Sequence, residues 1–262
     1  MTAPNFLQES IAFDGKDDYI ELPEMQFDFS GGITIEAWTY YESLPSEAVI
    51  ISLGNPDNTP RTDITLQCQA KHGIGIMTQG TGSSSLQKIE ELEKWIHTAV
   101  TIAPSRSCQI YQDGSQIVGR FVDLPIKSKR SLNCIGKNYK YNEDFFHGRL
   151  GEIRLWNIAR SQAEIANNMN RRLTGNESGL IGYWPLNEES GTIAHDLSQN
   201  ANHGKIQGAT WQEKSEPGQE ATPSKVVMAT GLEDYSYWYN WKQSLPPHSS
   251  SSKSFRRGRI WT

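Results

Sequence analysis

Cysteine is scarce in this chain of 262 residues: Cys68, Cys108 and Cys134 are too few and too widely spaced for a disulfide scaffold or a zinc ribbon. They read as small, reduced, buried thiols. The first ten residues, Met1 to Ser10, lack a basic segment followed by an apolar run, so no secretory signal is visible. Together these two features lead us to expect a cytoplasmic protein, or part of a particle assembled in the cytoplasm. No stretch approaches the roughly 20 apolar residues of a membrane-crossing helix, so no membrane span is expected. An excess of positive charge is also missing: 25 Lys and Arg against 30 Asp and Glu leave a net charge of −5, which argues against nucleic acid as a partner. No internal repeat of solenoid length is present.

Paired acids are missing too. Glycoside hydrolysis needs two carboxylates facing one cleft, which on a strand means acids at alternate positions. Glu36 stands alone between Thr34 and Trp38 on its face, and Glu152 is followed two residues on by Arg154, a partner that would hold it ionised. The acids of residues 90–93 precede a strand and read as a solvated turn. His72, His97, His147, His195, His203 and His248 are scattered, none beside a Ser or Cys in a nucleophile-elbow context. His97 falls in an apparent core strand and reads as a packed, satisfied histidine. We therefore expect no enzymatic activity.

What is present is a long series of short β-type runs separated by turn signals. Ile33 to Tyr40 alternates and is rich in β-branched and aromatic residues, and Ala48 to Leu53 is a continuous apolar run. Similar runs cover 63–67, 73–77, 95–102, 132–136, 150–156 and 180–184. Residues 108–111 and 115–118 flank Asp113-Gly114, a hairpin signal because both turn positions tolerate positive φ. About a dozen strands at this spacing suggest a sandwich or barrel. One segment differs. Ser161 and Glu164 have capping-box spacing, and Ile165, Met169 and Leu173 recur every fourth residue, so a single helix is expected over about 161–173, with Arg171 and Arg172 in its last turn and Gly175 as its stop.

The composition changes after Trp211. Residues 213–234 open as a polar, Gly- and Pro-containing linker. Residues 235–241 hold five aromatics in seven positions, followed by Pro246-Pro247, four serines and a basic end. From Lys242 onward there are five cations and no acid. Such a segment can fold back, dock on a protein, or meet an anionic surface. A partner protein or larger assembly is favoured, because Trp, Tyr and Arg dominate interface energies. The docking residues expected are Tyr235, Tyr237, Trp238, Tyr239, Trp241, Arg256, Arg257 and Trp261.

Ordered motifs between about residues 6 and 212 carry a family likeness: 11–20 (IAFDGKDDYI), 33–38 (ITIEAW), 95–100 (WIHTAV), 110–114 (IYQDG), 145–157 (FFHGRLGEIRLWN), 159–165 (ARSQAEI) and 179–186 (GLIGYWPL). This pattern resembles concanavalin A-like modules of the laminin G, pentraxin-like kind. The resemblance implies an all-β, two-sheet antiparallel jelly-roll sandwich with one short helix, here carrying an extended C-terminal tail. The corresponding division is 1–212 for the sandwich, 213–234 for the linker and 235–262 for the docking tail. The resemblance also implies a possible calcium site built from two loops, and Asp57, Asp63, Asn138 and Asp144 are the ligands it singles out, although Lys140 and Arg61 would oppose a divalent cation. The same loops could meet a glycan through Tyr139, Tyr141 and Asn142. Two functions follow as expectations: a non-catalytic module anchored to an assembly by its tail, or a carbohydrate-binding lectin domain, calcium-dependent or not.

Overall fold

The computed structural model describes residues 4–56, 63–78, 81–84, 89, 91–140 and 143–212. A single turn of 3-10 helix, Asn5–Gln8, opens this region. The strands, in chain order, are β1 (Ile11–Asp14), β2 (Tyr19–Leu22), β3 (Met25–Phe27), β4 (Ile33–Tyr41), β5 (Glu47–Gly54), β6 (Ile64–Gln69), β7 (Gly73–Thr78), β8 (Thr81–Ser84) and β9 (Trp95–Ile102). They continue with β10 (Ser107–Gln112), β11 (Ser115–Phe121), β12 (Ser128–Arg130), β13 (Leu132–Ile135), β14 (His147–Trp156), β15 (Leu180–Trp184), β16 (Ile193–Ala194), β17 (Gly204–Gln207) and β18 (Thr210–Trp211). The one α-helix among the described residues, α1, is Gln162–Asn168.

Two eight-stranded antiparallel sheets form a sandwich. Sheet A runs β11-β10-β9-β4-β14-β1-β18, with β15 also on β14. Sheet B runs β16-β17-β2-β13-β5-β6-β7-β8, and β3 with β12 makes a small ribbon. The core lies between the sheets: Ile33, Ile35 and Ala37 of β4 belong to one buried cluster with Ile51 and Leu53 of β5, Leu66 of β6 and Ile135 of β13. Alternation then sends Thr34, Glu36 and Trp38 to the opposite face of β4, yet these are buried as well. The segment between β14 and β15, including α1, covers that face.

The Asp113-Gly114 turn has positive φ at both residues, 50° and 74°, as its hairpin requires. The capping box of α1 is complete: Ser161 Oγ accepts from the Glu164 N–H at 3.3 Å, and Glu164 Oε2 accepts from the Ser161 N–H at 2.7 Å. The helix is shorter than the sequence pattern suggests, and the cause is local. The carbonyls that would continue it are taken by sheet A: the Trp38 indole N–H donates to Met169 O at 2.9 Å, and Arg154 donates to Asn168 O at 3.0 Å and Arg171 O at 2.7 Å. Ile165, Met169 and Leu173 are nonetheless all buried, as their spacing requires. All three cysteines are free and buried. Burial pushes the Cys68 and Cys108 thiols up to about 12 and the Cys134 thiol up to about 11.

Candidate functional site

The two sheets present different outer faces. On sheet A, polar side chains are sealed beneath α1. Glu36 Oε1 lies 3.3 Å from Arg160 Nη1, and Glu36 Oε2 lies 3.4 Å from His97 Nε2 and 3.8 Å from Arg154 Nη1. Arg154 reaches Glu152 at 2.8 Å, and the Tyr183 hydroxyl donates to the same carboxylate at 2.9 Å. A bulge in β14 between Gly151 and Arg154 brings Arg154 opposite Glu36 on this face, and Glu152 within it has φ of 53°. Burial would raise the Glu36 carboxyl, but His97, Arg154 and Arg160 outweigh it and hold the group below the usual carboxylate range. The Glu152–Arg154 partnership read from the sequence is present. His97 is packed against Trp38, with ring centroids 5.3 Å apart. It is not fully satisfied, because its Nδ1 has no hydrogen-bond partner among the described residues. Glu36 and Glu152 are 0% and 2% exposed, so both carboxylates are shielded from solvent.

On sheet B, β6 alternates Ile64, Leu66 and Cys68 toward the core with Thr65, Gln67 and Gln69 on the outer face. Gln69 Nε2 donates to Glu47 Oε1 at 2.7 Å. Beside them the Val49 N–H donates to Asp144 O at 3.1 Å, and Asn138 Nδ2 donates to Asp144 Oδ2 at 3.3 Å. Ser52 ties this loop down, accepting from the Tyr139 N–H at 2.9 Å and donating to Lys137 O at 2.7 Å. Burial and the neighbouring Asp144 charge raise the Glu47 carboxyl, against the pull of Gln69 and Gln67. Burial, with Glu143 nearby, likewise raises Asp144. Two carboxylates and three amides thus gather where β5 begins, with protons held more tightly than usual.

The structure brings together some of the residues expected from sequence and separates others. Asn138 and Asp144 are partners. Asp63 lies at the opposite end of β5, since β13 runs antiparallel to it and Ile64 pairs with Leu53, while Asp144 sits at Val49. The offset is about 16 Å of strand. At that end Arg130 is buried, its guanidinium pushed down to about 10 by burial with the Asp63 charge opposing. Tyr139 is half-buried against Gly54, where a Cβ would stand 2.3 Å from its ring. Asp57, Tyr141 and Asn142 lie outside the described residues, as do Tyr235, Tyr237, Trp238, Tyr239, Trp241, Arg256, Arg257 and Trp261. Glu47, Gln67 and Gln69 were not expected, although the amides at alternate positions of an otherwise apolar strand were the available signal. Among the described residues, the grouping of three metal-capable side chains within 4.8 Å is Asp14, Asp17 and Asp18. Turn bonds engage it: the Asp14 N–H donates to Asp18 Oδ2 at 2.8 Å, and the Lys16 N–H donates to Asp14 Oδ1 at 2.9 Å.

Likenesses to known proteins agree with this architecture. No curated protein matches the sequence. A Bacteroides ovatus protein inferred to bind carbohydrate is 20% identical, with a TM-score of 0.63 over 80% of this chain and 60% of that one. The chain therefore spans less than two thirds of that protein, and the likeness is one of fold. The heptameric SAP-like pentraxin of Limulus polyphemus is 15% identical, with a TM-score of 0.48 over 65% of this chain and 88% of that one. Domain 4 of an extracellular arabinanase from Geobacillus stearothermophilus, solved with arabinotriose, is 16% identical, with a TM-score of 0.49 over 60% and 75%. The family model described as concanavalin A-like lectin/glucanases superfamily matches residues 14–166. With more than half its length matched and a two-sheet antiparallel sandwich to carry it, the chain belongs to the concanavalin A-like lectin/glucanases superfamily, in its laminin G branch.

Proposed function

We propose that the chain is a non-catalytic glycan-binding module whose binding surface is the outer face of sheet B at the start of β5. The observation that carries this reading is the convergence there of Glu47, Gln67, Gln69, Asn138 and Asp144. Amides and carboxylates in fixed geometry are the groups that bond sugar hydroxyls. The donor set is also all oxygen-capable, and the two raised carboxylates repel each other, a cost that a hard divalent cation relieves. Calcium would be held by Asp144 and Glu47, with Asn138 turning its carbonyl inward. Asp63 is too far along β5 to join this group.

The test is a glycan array of the full chain with calcium and with chelator, repeated for Gln69→Ala and Asp144→Asn. Binding that falls in Gln69→Ala supports the surface, and binding that also needs calcium only when Asp144 is intact supports the ion. Unchanged binding in both variants would reject the site. Release of reducing ends from a bound polysaccharide would reject the non-catalytic reading. Protons compete with calcium at the raised carboxyls, so its effect should shrink as pH falls from neutral toward the carboxylate range of about 4.

A second reading concerns residues 235–262, whose density of Trp, Tyr and Arg favours a protein partner. In it, Trp238 and Trp241 anchor the module to a larger assembly.

A further inference from the structure

Strand register arranges the outer face of sheet A in rows about 7 Å apart. Glu36 with Arg154 forms one row and Trp38 with His97 the next. Both lie beneath α1 and the turn after it, held by the bonds to Asn168 and Met169. The third row is Trp95, Tyr40 and Arg149, on β9, β4 and β14, and the fourth joins Glu42 to His147 and Asp14. These two rows lie beyond the cover, with Tyr40, Trp95 and Arg149 only partly buried and Glu42 exposed.

The third row is ordered although it faces solvent. The Tyr40 and Trp95 rings are 5.6 Å apart at 58°, and the Arg149 guanidinium stands 4.3 Å from the Tyr40 centroid. Arg149 Nε lies 3.7 Å from Glu42 Oε1, and Glu42 Oε2 lies 3.7 Å from His147 Nε2. Ser43 Oγ meets His147 Nδ1 at 2.5 Å. The Tyr40 hydroxyl, the Trp95 indole N–H and the Arg149 guanidinium make no hydrogen bond with any described residue. Tyr40 is flanked on one side by Arg149 and on the other by Trp95, so it braces the indole. A held indole bordered by unspent donors and a carboxylate is amphipathic over a short distance.

We propose that this open end of sheet A is a second recognition surface, for a neutral pyranose of a glycan, separate from the one on sheet B. The indole of Trp95 supplies the apolar face on which the C–H side of the ring lies. Arg149, Glu42 and the Tyr40 hydroxyl bond the ring hydroxyls. Charge selects the class of ligand. Glu42 faces Arg149 at 3.7 Å, Glu42 and Glu93 oppose Arg149 around Tyr40, and Asp14 stands in the fourth row with Asp17 and Asp18 beside it, three carboxylates against Lys16 at 3.7 Å from Asp14. A sialylated or otherwise anionic chain would meet this excess of acid, whereas a neutral ring meets none of it.

The experiment is an array of neutral oligosaccharides with sialylated ones as controls, probed with the full chain and with Trp95→Ala, Trp95→Phe, Arg149→Gln and Gln69→Ala. We expect a neutral-glycan signal that weakens about tenfold in Trp95→Ala and returns in Trp95→Phe, whereas the signals that Gln69→Ala lowers are unmoved by Trp95→Ala. Arg149→Gln should weaken the same signal. Far-UV circular dichroism melts establish which variants fold, and if Trp95→Ala does not, Arg149→Gln decides, because its side chain is 30% exposed and close in shape to glutamine along its stem. Three results would each overturn the proposal: no neutral glycan bound, Trp95→Ala and Gln69→Ala lowering the same signals, or binding unchanged in the folded sheet A variants.

Discussion

Glu36 balances most of the charge buried under α1. It faces Arg160, Arg154 and His97 within 3.3 to 3.8 Å and has 0% exposure, so Glu36→Gln keeps the shape and leaves two guanidinium groups short of a counter-charge. Removing one partner of a buried ion pair costs about 3–5 kcal/mol, and urea titration at pH 7 should show a loss in that range. Its pH dependence has a definite sign. The folded carboxyl is held below its ordinary value, so its contribution is complete above the unfolded glutamate value of about 4.3 and is lost as pH falls through the lower, folded value. The gap between wild type and Glu36→Gln should therefore close only on the acid side, and a gap constant down to pH 2 would show that packing, not charge, is responsible. Around Glu36 the sequence could be read in part. Its isolation from a second acid was visible, and so was the Glu152–Arg154 pair. The convergence of Arg160 and His97 on Glu36 was not, because it depends on contacts across 124 and 61 positions of chain.

At the scale of elements, α1 is seven residues long and could not persist in water without its sheet. Its start is local and its end is not. Ser161 and Glu164 stand three apart in sequence, so the N-terminus was evident, whereas Trp38 and Arg154 end the helix from distant strands. Ser161→Ala should cost about 1 kcal/mol. Hydrogen exchange should place that loss in 162–169, with protection of β4 and β9 unchanged. A uniform rise across both sheets would mean that α1 and the sandwich unfold as one unit. The longer strands were plain from alternation and turn residues, but the short β3, β8, β12 and β16 were not, nor was which loops share an end of the sandwich. That depends on β13 running antiparallel to β5, which sends Asp63 and Asp144 to opposite ends. The same pairing, extended to β6, sets Gln69 against Glu47.

For the whole molecule, the buried core among the described residues is drawn from residues between Ile11 and Ala209. A chain ending at Gln212 should therefore melt in one transition close to that of the full chain, and an unfolded truncation would show that the later residues complete the sandwich. If residues 235–262 carry a docking role, that truncation and a Trp238→Ala/Trp241→Ala chain should both lose a partner that the full chain retains in pull-downs. Equal recovery of all three would refute the role. The first and last strands of the sandwich have a consequence of their own. Ile11 pairs with Trp211, and the Gln212 N–H donates to Ser10 O at 3.0 Å, so the chain enters and leaves side by side at one seam. Tension applied through these two points would peel β18 from β1 rung by rung instead of shearing several rungs together. The seam would yield first at low force while the two sheets stayed closed. Within a longer chain, such a module is mechanically suited to hang as a side pendant and not to serve as a tension-carrying strut.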